Sequence, residues 1–146
     1  MECVAESDAP KSSLPNDALR RMPKGNMVIC QDFAKNHQGC HVWHGIIENY
    51  VCDELPVQVS FVLGIEFREG DGLAHVVLTS EDSDGRILRT FPSKEPHHFL
   101  PGKKHMHYTQ VVTYKFEKSG IYYFRARING QIVAENSTQV FVRSVK

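Results

Sequence analysis

The 146-residue sequence has no excess of either charge, since 17 Lys and Arg balance 17 Asp and Glu. Such a chain lacks the global field that holds a polyanion, so nucleic acid is not the expected partner; the run Lys103, Lys104, His105 is only a local basic patch. No stretch approaches the roughly 18 uninterrupted apolar residues of a membrane helix. The N-terminal MECVAESDAPKSSLPNDALRRMPKGN has no apolar core of signal-peptide length and carries acids early. These absences point to a cytoplasmic protein with no membrane contact, in which the sequon Asn136-Ser137-Thr138 would not meet a glycosyltransferase. The four cysteines, Cys3, Cys30, Cys40 and Cys52, form no CxxC pair and no zinc-ribbon spacing, which in a reducing compartment leaves them free thiols. There is no P-loop, no GxGxxG and no G-x-S-x-G, so neither nucleotide chemistry nor a nucleophile elbow has a foothold.

What is present is a period of two. In Val57–Phe67 the odd positions are Val, Val, Phe, Leu, Ile and Phe, and the even ones Gln, Ser, Val, Gly and Glu. Such alternation is a strand with one face in a core; a helix would scatter those residues around its circumference. Strands are expected on the same grounds over Met27–Phe33, Cys40–Glu48, Leu73–Ser80, Arg86–Phe91, Met106–Phe116, Ile121–Ile128, Gln131–Ala134 and Gln139–Arg143. Asp84-Gly85 and Asn129-Gly130 are hairpin dipeptides, the latter the stronger because a type I′ turn needs positive φ at both central residues. Residues 1–25 mix Ser, Pro, Asp, Lys and Ala without a period. They read as a flexible N-terminal tail, with a short helical turn at Asn16–Met22, ahead of a single domain over 26–146. About eight or nine short strands without a helix after residue 25 give an all-β fold, an antiparallel β-sandwich of immunoglobulin-like type. The Cys…Trp…Cys signature of antibody domains is missing.

The pieces ICQDFA (29–34), NHQGCHVWHGIIENY (36–50), ELP (54–56), VSFVLGIEF (59–67), DSDGR (82–86) and GIYYFRARINGQIVAENSTQVFV (120–142) follow one another in order. In that order the chain resembles an uncharacterised family of small bacterial domains with an immunoglobulin-like sandwich. The likeness covers about residues 27–143 and consists of turns and core alternations. It implies the fold and brings no activity, cofactor or catalytic residue; the tail and the density of histidines depart from it.

The stretch Asn36–Gly45 holds His37, His41, His44, Cys40 and the single tryptophan, Trp43. On a helix the three histidines would form one stripe able to converge on zinc. On a strand His41 and His44 point apart, and the glycines at 39 and 45 favour the strand. His105-x-His107 is better shaped for a metal, because i and i+2 on a strand share a face, as in cupin-type sandwiches. A third ligand would have to come from His75, His97, His98 or the first hairpin, with Glu117 ten residues beyond His107. Asp82-Ser83-Asp84-Gly85-Arg86 resembles the middle of an EF-hand loop, but Ser80 and Phe91 then occupy its first and bidentate ligand positions, so it reads as a hairpin.

Two functional classes follow. The favoured one is a non-enzymatic module, without catalytic residues or cofactor, that binds a protein partner or a second copy of itself. It fits apolar residues such as Val62 and Phe141 on otherwise solvated faces. The alternative is a metal-binding or metal-dependent, cupin-like enzyme domain using a transition metal such as zinc on His105 and His107, or on His41 and His44.

Overall fold

The computed structural model describes residues 18–35, 38, 41–91, 93, 95–102 and 106–143. In chain order the strands are β1 (Lys24–Lys35), β2 (His41–Ile46), β3 (Asn49–Cys52), β4 (Val57–Arg68), β5 (Gly72–Ala74), β6 (Val77–Glu81), β7 (Ile87–Phe91), β8 (His97–Phe99), β9 (Met106–Phe116), β10 (Gly120–Ile128) and β11 (Gln131–Val142). They form a four-stranded sheet β9-β4-β1-β2, a five-stranded sheet β3-β11-β10-β6-β7 and a small β5-β8 ribbon. Among the described residues every ladder between these strands is antiparallel except β3 on β11, which is parallel.

The alternation in β4 does what its period requires. Phe61, Leu63, Ile65 and Phe67 are fully buried, and β4 pairs with β9 from Val57↔Phe116 to Phe67↔Met106. Opposite them, Tyr122, Phe124, Ala126 and Ile128 of β10 turn inward from the second sheet. The two faces meet ring to ring: Phe61 lies 5.5 Å from Phe124 in an edge-to-face contact, and Phe116 4.7 Å from Tyr122. Each such ring removes enough apolar surface from water to be worth about 2 kcal/mol, and the aromatic geometry adds to that. A buried side-chain hydrogen bond crosses this core, between Ser80 Oγ and the Tyr114 hydroxyl at 2.8 Å. Tyr114→Phe is therefore expected to leave Ser80 short of a partner and to lower stability by about 1 kcal/mol, read as a lower urea midpoint at unchanged m-value.

The topology is that of an immunoglobulin-like sandwich. Strands β1, β4 and β9 stand as A, B and E of one sheet, and β6, β10 and β11 as C, F and G of the other. The Tyr122 hydroxyl donates to the Lys118 carbonyl at 2.7 Å and accepts from the Lys118 N–H at 3.2 Å. This is the tyrosine corner such domains place between E and F. Phe124, two residues on, falls where antibody domains carry the second disulfide cysteine, and it packs on Phe61 of β4. An aromatic pair thus joins the sheets where a disulfide would. Asn129 and Gly130 have φ of 51° and 81°, the pair of positive values a type I′ turn needs.

Several expected elements differ in detail. Residues 73–80 are not one strand: Gly72–Ala74 pairs with β8 in the ribbon, and the chain rejoins the main sheet only at Val77. Residues 40–48 end as a strand at Ile46, because Asn49–Cys52 leaves to pair with β11 of the other sheet. Residues 131–134 and 139–143 are instead joined in the continuous β11. Its polar Asn136 is accommodated by donating from Nδ2 to the Met27 carbonyl at 2.9 Å, which binds β11 to β1. No helical turn forms over residues 18–22; Ala18 bridges Leu73 and Arg21 bridges Asp71, and Leu19 and Met22 pack on the core. Asn16, with the rest of residues 1–17, lies outside the described residues.

Strand β1 serves two partners. Residues 24–30 pair with β4 and residues 30–35 with β2, and the ladder is interrupted opposite Gln31, where Gly45 has φ +67°. Past residue 30 the β1–β2 hairpin carries Trp43 onto the outer face of β4. Trp43 occupies the space above Gly64, where an added Cβ would sit 1.9 Å from its ring. Phe33 and His107 pack with it, their ring centroids 4.4 Å and 5.8 Å from Trp43. Cys30 and Val62, paired across β1 and β4 on this face, are buried, so Val62 is not the solvated apolar residue its position suggests.

Candidate functional site

The two sheets do not close along one side. There β9 ends the four-stranded sheet and β7 ends the five-stranded one, and a cleft of about 520 Å³ opens beside them. One wall comes from the β6–β7 hairpin. Its turn is fixed by the Gly85 N–H on the Asp82 carbonyl and the Asp82 N–H on the Arg86 carbonyl, both 3.0 Å, with Gly85 at φ +84°. The Asp82 carboxylate accepts from the backbone N–H groups of Arg86 and Asp84 at 3.0 and 2.9 Å. These bonds, the Arg86 one foremost, hold its pKa below the usual carboxylate range. Asp-Gly therefore does structural work here, placing Arg86 at the cleft rim.

Beyond the turn, β7 carries Ile87 and Leu88, 51% and 43% exposed, and then Arg89. Arg89 Nη1 donates to the Thr113 carbonyl of β9 at 2.7 Å, tying the two sheet edges, and its guanidinium lies 4.7 Å over the Phe91 ring. The other wall is the end of β9, the corner 117–119 and the start of β10. Tyr114 and Tyr122 reach the cleft from the core. Burial raises the pKa of Tyr114. Both hydroxyls are engaged, one with Ser80 and one with the Lys118 backbone. Four cations, Arg86, Arg89, Lys115 and Lys118, line the cleft beside two acids, Asp82 and Glu117. Each acid already faces a cleft cation, Asp82 with Arg86 at 3.4 Å and Glu117 with Lys115 at 3.8 Å. The arrangement suits holding a ligand, with a positive rim and the apolar side chains of Leu88 and Ile121.

A second polar cluster spans the outer face of the five-stranded sheet. Glu81, only 2% exposed, receives Arg125 and Arg127, the latter at 2.7 Å, and the Thr79 hydroxyl at 3.0 Å. Arg125 Nε also reaches Glu135 of β11 at 2.7 Å, so strands β6, β10 and β11 are cross-linked.

Of the histidines named from sequence as metal ligands, the structure describes His107 in full and the backbone of His41 and His44. His105 lies outside the described residues. His107 sits in the aromatic cluster, its ring 5.7 Å from Phe33 and 5.8 Å from Trp43. His41 and His44 belong to β2, in register with Lys35 and Asp32 and three positions apart on an extended chain. His97 packs against Phe67, Phe99 and Tyr108; burial, then neighbouring His98, lowers its pKa. Among the described residues no three or more His, Cys, Asp or Glu gather as a metal site would require. The cleft was not anticipated, because its residues come from β6–β7 and β9–β10, about 30 positions apart in sequence. Only Asp84-Gly85-Arg86 carried a signal, that of a turn.

No family model matches the chain, and no curated protein matches it. Among solved structures it is similar to a β-glucuronidase of glycoside hydrolase family 2, at 13% identity and a TM-score of 0.44, over 60% of this chain and 10% of that enzyme. It is similar to the CARDB domain of a Pyrococcus furiosus protein in complex with di-metal ions, at 8% identity and 0.44, over 84% and 96% of the two chains. It is also similar to an immunoglobulin-like protein of Pseudomonas aeruginosa, at 15% identity and 0.38, over 86% and 99%. Likeness at this level carries no functional argument, and the fold rests on the chain's own topology.

Proposed function

We propose that this domain is a non-catalytic protein-interaction module whose partner adds an extended segment to the edge of β7, which among the described residues has no strand beyond it. The supporting observation is the edge itself. Among the described residues strand β7 ends its sheet, four of its five residues are exposed, its register with β6 shifts at Leu88, and Leu88 lines the cleft with Ile87 exposed next to it. A sheet edge offers a row of backbone donors and acceptors to a segment of matching alternation, and side-chain pockets then give selectivity. This reading requires no cofactor. Hydrogen exchange with a neutral alternating peptide, (Gln-Val)4, tests it. The amides of β7 are expected to gain protection, and Leu88→Lys, which puts a charge on the edge, is expected to abolish the gain while leaving the thermal midpoint within about 2 °C. Protection confined to β2 or β3 would place the partner edge elsewhere.

A further inference from the structure

We infer that the segment received at β7 is acidic, with carboxylates at alternate positions directed into the cleft between β7 and β9. This rests on the strand-addition reading above and adds to it the chemistry of the partner. Over the whole chain the charges cancel, 17 against 17. The cleft departs from that balance, with four cations to two acids. Its acids are already satisfied by Arg86 and Lys115. Arg89 is held by an uncharged carbonyl and a ring, and among the described residues no carboxylate lies within ion-pair distance of it or of Lys118. Two cations thus face the cleft without a counter-charge, one from each wall.

Strand geometry sets the pattern of the ligand. Side chains on one face of an added strand recur every two residues, about 7 Å apart. A segment of the form acid-x-acid laid along β7 presents successive carboxylates to the cleft, while the intervening side chains face away. The cleft also carries Leu88 and Ile121, which accept the methylene stems and any apolar neighbour.

The test is fluorescence anisotropy with three labelled octapeptides, (Glu-Val)4, (Gln-Val)4 and (Lys-Val)4, and a dT8 oligonucleotide. It is run on the full chain at low and at high salt, with β7 hydrogen exchange recorded in parallel. The glutamate peptide is expected to bind about fivefold or more tightly than the glutamine one and to lose that advantage at high salt. Lys118→Glu, at an exposed corner position, leaves three cations against three acids in the cleft and is expected to remove the advantage of the glutamate peptide over the glutamine one. Equal binding of the glutamate and glutamine peptides, lost in Leu88→Lys, would overturn the acidic inference and leave the strand-addition reading standing. Failure of every peptide to protect β7 would overturn both. Tighter binding of dT8 than of the glutamate peptide, sensitive to Lys118→Glu, would overturn the inference in favour of a nucleic acid.

Discussion

Glu81→Ala is expected to cost about 3 kcal/mol of stability, a loss on the scale seen when one partner of a buried ion pair is removed. The alternation of β6 sends Glu81 to the outer face of its sheet, where a lone carboxylate would normally be solvated. It is instead 2% exposed, covered by the guanidinium groups of Arg125 and Arg127, themselves 22% and 23% exposed. Burial alone would raise its pKa. The bonds from Arg127, Arg125 and Thr79 outweigh that cost, and the pKa is lowered. The sign of the pH effect follows. The folded state holds the carboxylate ionised more strongly than the unfolded chain does, so the contribution is present above the unfolded value near 4.5. It is lost as pH falls through the lower folded value. Urea melts between pH 3 and pH 7 should therefore show a steeper acid loss in the native chain than in Glu81→Gln, which keeps the shape and removes the charge. An unchanged acid limb in Glu81→Gln would show that Arg125 and Arg127 are held by Glu135 and solvent instead.

That network also marks a boundary of what the sequence discloses. The alternation of β10, with Phe124, Ala126 and Ile128 inward and Arg125 and Arg127 outward, is legible at once. The burial of Glu81 is not, because it depends on which strand lies beside β10, and adjacency of non-consecutive strands has no local signature. The same limit explains the cleft. Arg86, Arg89, Lys115 and Lys118 read singly as solvated charges, and become a group only because β7 and β9 both end their sheets on one side. Turn chemistry was readable at Asn129-Gly130 and Asp84-Gly85, and not at Glu69, where a non-glycine residue takes φ 68°. Strand breaks were not readable either. Nothing in Leu73–Ser80 announces that the chain leaves one ribbon and enters another sheet at Val77, since both pieces keep the same apolar period. The packing of Trp43 is a further case: the glycine in β4 and the pairing of β1 with β4 bring Trp43 and His107 together as packed rings, a meeting of three distant segments that residue type alone does not announce.

Gly64→Val should release Trp43 from the sheet and cost about 3 kcal/mol, at the upper end for overpacking. On backbone grounds alone the change ought to help. Glycine weakens a strand interior, and valine is a preferred strand residue. Gly64 pairs normally with Val28 and Thr109 on either side, so no special φ requires it. The requirement comes from above, where a Cβ would lie 1.9 Å from the Trp43 ring, a separation that no small rotation relieves. The hairpin must lift, parting Trp43 from Gly64 and breaking up the cluster with Phe33 and His107. Because Trp43 is the sole tryptophan, its emission reports this event directly. A red shift and stronger acrylamide quenching are expected in native buffer, with the far-UV spectrum of the sheets retained. Global unfolding would move both signals together, and Gly64→Ala should show a smaller shift in the same direction. Unchanged emission in both variants would mean that Trp43 does not lie on Gly64. The β1–β2 hairpin would then be held by its ladder alone, and the burial of Cys30 and Val62 would need another cover.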